Sequence, residues 1–197
     1  MIERLIHWFH ELLSGAGLSD ALVVFLENAT IIVITIGLAF LADFIVKRII
    51  IASIARIVKK TKNDWDDIFV ERRVFNRLAH LAPALIVYGS LQYIFDLPKV
   101  VAFLEHLTHT YMVLVIVLMI DAVLDALHEI YMRLPVAKGR NIKGFVQVVK
   151  IIFYFTAVII IISIFSGEAP KTLLAALGTM AAVLILVFKD TLLGFVA

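Results

Sequence analysis

The chain has no cysteine among its 197 residues, which excludes disulfides, thiolate chemistry and cysteine-ligated zinc. Charge is scarce: Asp, Glu, Lys and Arg make up 17% of the residues, against roughly 25% in soluble domains. The net charge of +2 is too small for a nucleic-acid surface, and the bases cluster beside apolar runs instead of forming one face. Glycine-rich phosphate loops, nucleophile–base–acid arrangements and metalloprotease motifs are missing, so nothing reads as an enzyme and no cofactor is expected. The glycosylation sequon Asn28-Ala29-Thr30 falls inside an apolar run and is a chance match. At the start of the chain, Glu3 stands beside Arg4 and no sufficiently long apolar run follows, which makes a poor signal peptide.

What is abundant is hydrocarbon. Hydrophobic residues reach 62% and mean hydropathy is +1.03, against roughly 45–50% apolar residues in soluble domains. They lie in long runs, which predicts an all-α integral membrane protein with lipid as its solvent. Five runs read as crossings, at about 21–46, 78–95, 108–127, 145–165 and 172–188. Ahead of them, residues 1–16 place Ile2, Leu5, Ile6, Phe9, Leu12 and Leu13 at helical spacing among charged residues and histidines. That predicts an amphipathic helix in the membrane interface, anchored by Trp8.

Residues 17–165 are then expected to hold four lipid-facing crossings, with basic loops at 47–77 and 128–144. The first loop carries nine bases, the second carries Arg133, Lys138, Arg140 and Lys143, and the linker between them has only Lys99. Lys and Arg of short loops stay in the cytoplasm, so the alternation predicts an N-terminus outside and a C-terminus inside. Asp121, Asp125 and Glu129 share a helical face at the end of the third run. Such acids can line a proton or ion path, but pairing with bases of the loops is the plainer expectation. Glu105, His106 and His109 stand at helical spacing without a further ligand, so no metal site is expected. Asp66 and Asp67 suit the start of a helix at Trp65, and the basic run 56–62 suits anionic lipid headgroups.

The last run differs in composition. Ala175, Ala176, Gly178, Thr179, Ala181 and Ala182 fall within eight positions, and small residues are how helices approach closely in lipid, where no hydrophobic force drives them together. Ala176, Gly178 and Ala181 are the candidates for helix packing. Residues 172–188, at ~1.5 Å each, cover roughly the hydrocarbon thickness and bring Lys189 to the interface. After Lys189-Asp190-Thr191 the apolar character resumes. Residues 172–197 are therefore expected to form one helix bent near Lys189 and Asp190, with Gly194 easing contact along the inner membrane surface.

The run Phe188-Lys189-Asp190-Thr191-Leu192-Leu193-Gly194, closing this small-residue helix, resembles the pore helix of the small-conductance mechanosensitive channel (MscS) superfamily. Upstream, Trp65-Asp66-Asp67, Asn76-Arg77-Leu78-Ala79-His80-Leu81-Ala82-Pro83 and Ile142-Lys143-Gly144-Phe145-Val146-Gln147-Val148-Val149-Lys150 are similar to its miniconductance, YbdG-like branch. The resemblance covers the chain from about residue 60 to its end. It implies a homoheptameric ion channel of the bacterial inner membrane, opened by membrane tension in osmotic stress, with membrane lipids and inorganic ions as its partners. Carried over by position, it implies that Ala175, Thr179, Ala182 and Leu186 line the pore. Where better-known members have two leucine rings this sequence has Ala182 and Leu186, and where the family often kinks at glycine it has Asp190. The family continues past the pore helix into a cytoplasmic vestibule, so this chain is expected to represent part of a longer protein, without its cytoplasmic domain. A secondary transporter and a structural membrane subunit are the rival readings. A transporter is expected to show internal repeats, and none is found.

Overall fold

The structure is a computed structural model and describes residue 15 and residues 20–58, 65–94, 98–137 and 142–196. The interfacial helix expected at 1–16 lies outside the described residues except for Gly15, and so do Lys59, Lys60 and Lys62 of the basic run. Seven α-helices and one 3-10 turn, Pro135–Ala137, hold nearly all that is described, with no strand among the described residues. The helices are α1 (Asp20–Val58), α2 (Trp65–Glu71), α3 (Val74–Ala79), α4 (Leu81–Ile94), α5 (Pro98–Arg133), α6 (Lys143–Ser166) and α7 (Pro170–Val196). Four of them are long and apolar enough to cross a bilayer: α1 over Leu22–Ile49, α5, α6, and α7 over Pro170–Phe195. The chain is thus an all-α, multi-pass membrane protein.

The run expected to cross at 78–95 behaves differently. Helix α4 has 14 residues, or about 21 Å at 1.5 Å per residue, short of the ~30 Å hydrocarbon core. Pro83 is the cause. It has no N–H to offer the Ala79 carbonyl four residues back, and its ring crowds that carbonyl. The chain therefore breaks at His80, whose N–H turns back to the Arg77 carbonyl at 3.2 Å. Other helices outrun the expected bounds. Helix α1 continues past residue 46 because 49–58 contains no glycine or proline and is mostly apolar, so much of the stretch expected as a loop at 47–77 is helical. Helix α5 opens on Pro98, where a missing N–H leaves no helical bond unmade.

The described chain forms two compact units, residues 1–141 and 142–197. In the first, α3 and α4 run antiparallel to α5. Arg72, just before α3, bonds Glu129, Arg77 lies 3.8 Å from Asp121, and the Tyr88 ring sits 4.9 Å from that of His109. Helix α1 packs along α4. Helix α2 lies against the C-terminal part of α5, where Ile68 and Ala126 are fully buried and Ile130 and Phe69 pack beside them.

The second unit is the hairpin of α6 and α7. Gly167 ends α6 in the left-handed conformation at φ 72 and returns its N–H to the Ser163 carbonyl at 3.0 Å. The Ser163 hydroxyl donates to the Glu168 carbonyl at 2.5 Å, and Pro170 begins α7. A side chain at Gly167 has space but not the backbone: Gly167→Ala is expected to destabilise the hairpin by about 1–2 kcal/mol, read as earlier thermal unfolding in detergent, while Gly167→Asn loses less. Within the long helices, Thr30, Thr108, Thr110, Thr156 and Thr179 each donate their hydroxyl to the carbonyl four residues back. This satisfies a polar group where hydrocarbon offers no partner.

Candidate functional site

Ala175, Thr179, Ala182 and Leu186 all lie on α7. At about 100° per residue they fall within about 60° of one another around its axis, so the helix presents them as one stripe. The Thr179 hydroxyl donates to the Ala175 carbonyl at 2.9 Å, which uses up the one side-chain hydrogen-bond donor in that stripe. Ala176 stands to one side of it, and Gly178 and Ala181 to the other.

Within its own unit, α6 leaves α7 largely bare. Every described side chain over residues 174–195 is exposed, with Ile185 at 70% and Leu186 at 67%. A methyl group added at Gly178 or Gly194 would meet no atom within 4 Å. The small size of these residues therefore has no explanation in packing against α6. The α-helical backbone continues without a break through Lys189 and Asp190 to Val196, and the Lys189 side chain is exposed.

At the C-terminal end of α5 the acids find partners. Arg72 donates through Nε and Nη2 to Glu129 Oε2, at 2.9 and 2.7 Å, and Arg133 Nη2 donates to Oε1 at 2.7 Å, so both carboxylate oxygens are engaged. The bond to Glu129 pushes the Arg72 guanidinium above its already high ordinary pKa, with a smaller contribution from Asp125. Arg77 faces Asp121 and also donates to the Leu118 carbonyl. The acidic face thus pairs with bases of the 47–77 stretch, as the sequence led one to expect. Which bases those are was not legible, because the partners lie 57 positions apart in the case of Arg72 and Glu129.

A second charged contact was missed altogether. Asp43 on α1 accepts from Lys47 Nζ at 2.7 Å, and its other oxygen lies 3.6 Å from His80 Nδ1. The four-residue spacing of Asp43 and Lys47 was the available signal, whereas the approach of His80 depends on how two helices pack.

The remaining sequence candidates are dispersed. Glu105, His106 and His109 lie on α5, and His109 tilts against Tyr88. No group of three or more His, Asp or Glu able to hold a metal is found among the described residues. Helix α2 begins at Trp65, so Asp66 and Asp67 occupy its first turn. Asn28 to Thr30 lie in α1, with the Thr30 hydroxyl bonded to the Leu26 carbonyl. A shallow crevice between α4 and α5 is lined by Pro83, Ala84, Val87, Leu107, Thr108 and Tyr111.

No family model matches the chain, and no solved structure matches it.

Proposed function

We propose that the chain forms a mechanosensitive ion channel, opened by membrane tension during osmotic stress, with copies of α7 lining a central pore. The observation that carries this reading is α7 itself: a mostly apolar helix of 27 residues whose described side chains over residues 174–195 are exposed, yet built with Ala176, Gly178 and Ala181. A helix facing only lipid has no use for small residues, whereas helices in close contact need them. In an assembly of several copies, the stripe from Ala175 to Leu186 would face the axis, and its apolar rings would stop ions by dewetting. The resemblance of 188–194 to the MscS pore helix adds a stoichiometry of seven and a place in the bacterial inner membrane. The bend at Lys189 and Asp190 belongs to this assembled state: Leu193 and Phe195, exposed in the chain, would be covered by lipid or neighbouring copies.

We read α3 and α4 together as a fifth crossing. On α5 the stretch from Glu129 back to His109 measures about 30 Å at 1.5 Å per residue, and the chain from Arg72 to Tyr88 accompanies it throughout. The bilayer around one therefore surrounds the other. With this crossing the basic stretches 47–77 and 128–144 share one side of the membrane; without it they lie on opposite sides, against the usual bias of Lys and Arg. The N-terminus is then outside and the C-terminus cytoplasmic. The acids of α5 are held by Arg72, Arg77 and Arg133, which favours a structural role for them over the proton path of a transporter.

The test is stoichiometry and access together. Native mass spectrometry of the solubilised protein is expected to show seven copies, and an Ala182→Cys variant of this cysteine-free chain is expected to lose its tension-activated current on treatment with a thiol reagent. A monomer with intact helices, or a current indifferent to the reagent, would overturn the reading.

A further inference from the structure

We infer that Arg48 and Arg73 grip the phosphates of anionic lipids at the inner membrane surface and so fix the depth of the first unit in the bilayer. The bases around them are engaged within the chain: Lys47 bonds Asp43 at 2.7 Å, Arg72 and Arg133 share Glu129, and Arg77 faces Asp121 and bonds the Leu118 carbonyl. Arg48 and Arg73 are exposed, and neither has an ion pair or a side-chain hydrogen bond among the described residues.

The two stand at one depth. Asp43 of α1 faces His80 at the break before α4, and the Asp43 oxygen not bonded to Lys47 is buried without a hydrogen bond, 3.6 Å from the imidazole. The inference rests on the reading of α3 and α4 as a fifth crossing, which runs them opposite to α1. From the level of Asp43 and His80, Arg48 then lies five residues onward and Arg73 seven residues back, about 7.5 and 10.5 Å in the same direction at 1.5 Å per residue. That puts both within about 3 Å of one depth, beside the bond of Arg72 to Glu129 at the inner end of the crossing.

Each position carries a cost that a phosphate offsets. Arg48 is the last residue but one of the apolar span Leu22–Ile49, where a guanidinium without a partner from the chain must reach out of hydrocarbon to the headgroups. Arg73 holds φ 55 and ψ 28 in the turn between α2 and α3 and is the one non-glycine residue described at positive φ. Such a backbone is strained for an L residue, and no bond from the Arg73 side chain to a described residue compensates for it. A guanidinium stays charged and offers a planar fork of donors that fits two phosphate oxygens, and anionic headgroups of the cytoplasmic leaflet add an attractive potential. The nearby acids are themselves held by bases: Glu129 by Arg72 and Arg133, Asp43 by Lys47, while Glu71 and Asp125 act on Arg72.

The test compares thermal unfolding of the full chain in detergent micelles doped with phosphatidylglycerol or with phosphatidylcholine. The wild type is expected to gain stability from phosphatidylglycerol, Arg48→Gln and Arg73→Gln each to lose about 2–4 °C of that gain, and the double variant about twice as much. Arg73→Gly should lose the same share and yet unfold about 2–4 °C later than wild type in phosphatidylcholine, because glycine relieves the left-handed strain. A purely structural arginine would not move the two readings in opposite directions. Inorganic phosphate at the same concentration is expected to give no gain; a gain equal to that from phosphatidylglycerol would make this a soluble-anion site and overturn the lipid as its occupant. The crossing has a separate check, since Arg73→Cys in this cysteine-free chain is expected to react with an impermeant thiol reagent in inside-out vesicles. Reaction only from the outer side would overturn the crossing and the shared depth with it. Reaction from the inner side, with a full lipid gain in the double glutamine variant, would overturn the inference alone.

Discussion

Cells expressing an Ala182→Ser, Leu186→Ser double variant are expected to grow slowly, and patches from them to open at lower tension than wild type. Both positions lie on the proposed lumen stripe of α7, where an apolar surface would keep water out of a closed pore. Removing a leucine side chain deletes about 1.5–3 kcal/mol of apolar transfer free energy, and the change recurs in every copy around the ring. Since 1.4 kcal/mol is tenfold in an equilibrium, even partial transmission to gating raises the open population at fixed tension by more than about tenfold. Folding of the single chain is not at stake, because both side chains are exposed in it. Unchanged currents from a well-expressed double variant would count against this face of α7.

Ile68→Ala is expected to be the most damaging single change in the first unit. Ile68 is fully buried against Ala126 and Ile130 of α5, and truncating such a side chain costs both its transfer free energy and the cavity left behind, about 2–5 kcal/mol. The cavity falls where the seven-residue α2 packs on α5, next to the bond from Arg72 to Glu129. Trp65, half exposed at the start of α2, reports the change by fluorescence. Its thermal transition should move down by several degrees, and amides of residues 65–72 should exchange faster. If both stay as in the wild type, α2 is not held by this core.

Much of this architecture was legible before any coordinates. The runs at 145–165 and 172–188 became α6 and α7 with small adjustments, because a long apolar segment in lipid has no alternative to the helix. The acidic spacing of Asp121, Asp125 and Glu129 announced a charged face, and bases were found opposite it. Less legible was the run at 78–95. Its hydropathy resembles that of its neighbours, and what divides it is the effect of Pro83 on the carbonyl of Ala79, a local steric term that hydropathy does not carry. The same holds for α1, where the bases after residue 46 suggested a loop although nothing there interrupts backbone bonding.

The sequence by itself determined that this chain is helical, that lipid surrounds most of it, and that α7 is made of unusually small residues, since each follows from composition along a single stretch. Only the tertiary structure decided that α3 and α4 run antiparallel beside α5, that Arg72 belongs to Glu129, and that His80 stands next to the orphaned oxygen of Asp43. Contacts between helices depend on the rotation and register of two elements at once. The pattern of apolar residues constrains each helix's outward face in water, but in a bilayer apolar residues cover every face, and the side that meets a neighbour is set by packing and a few polar bonds.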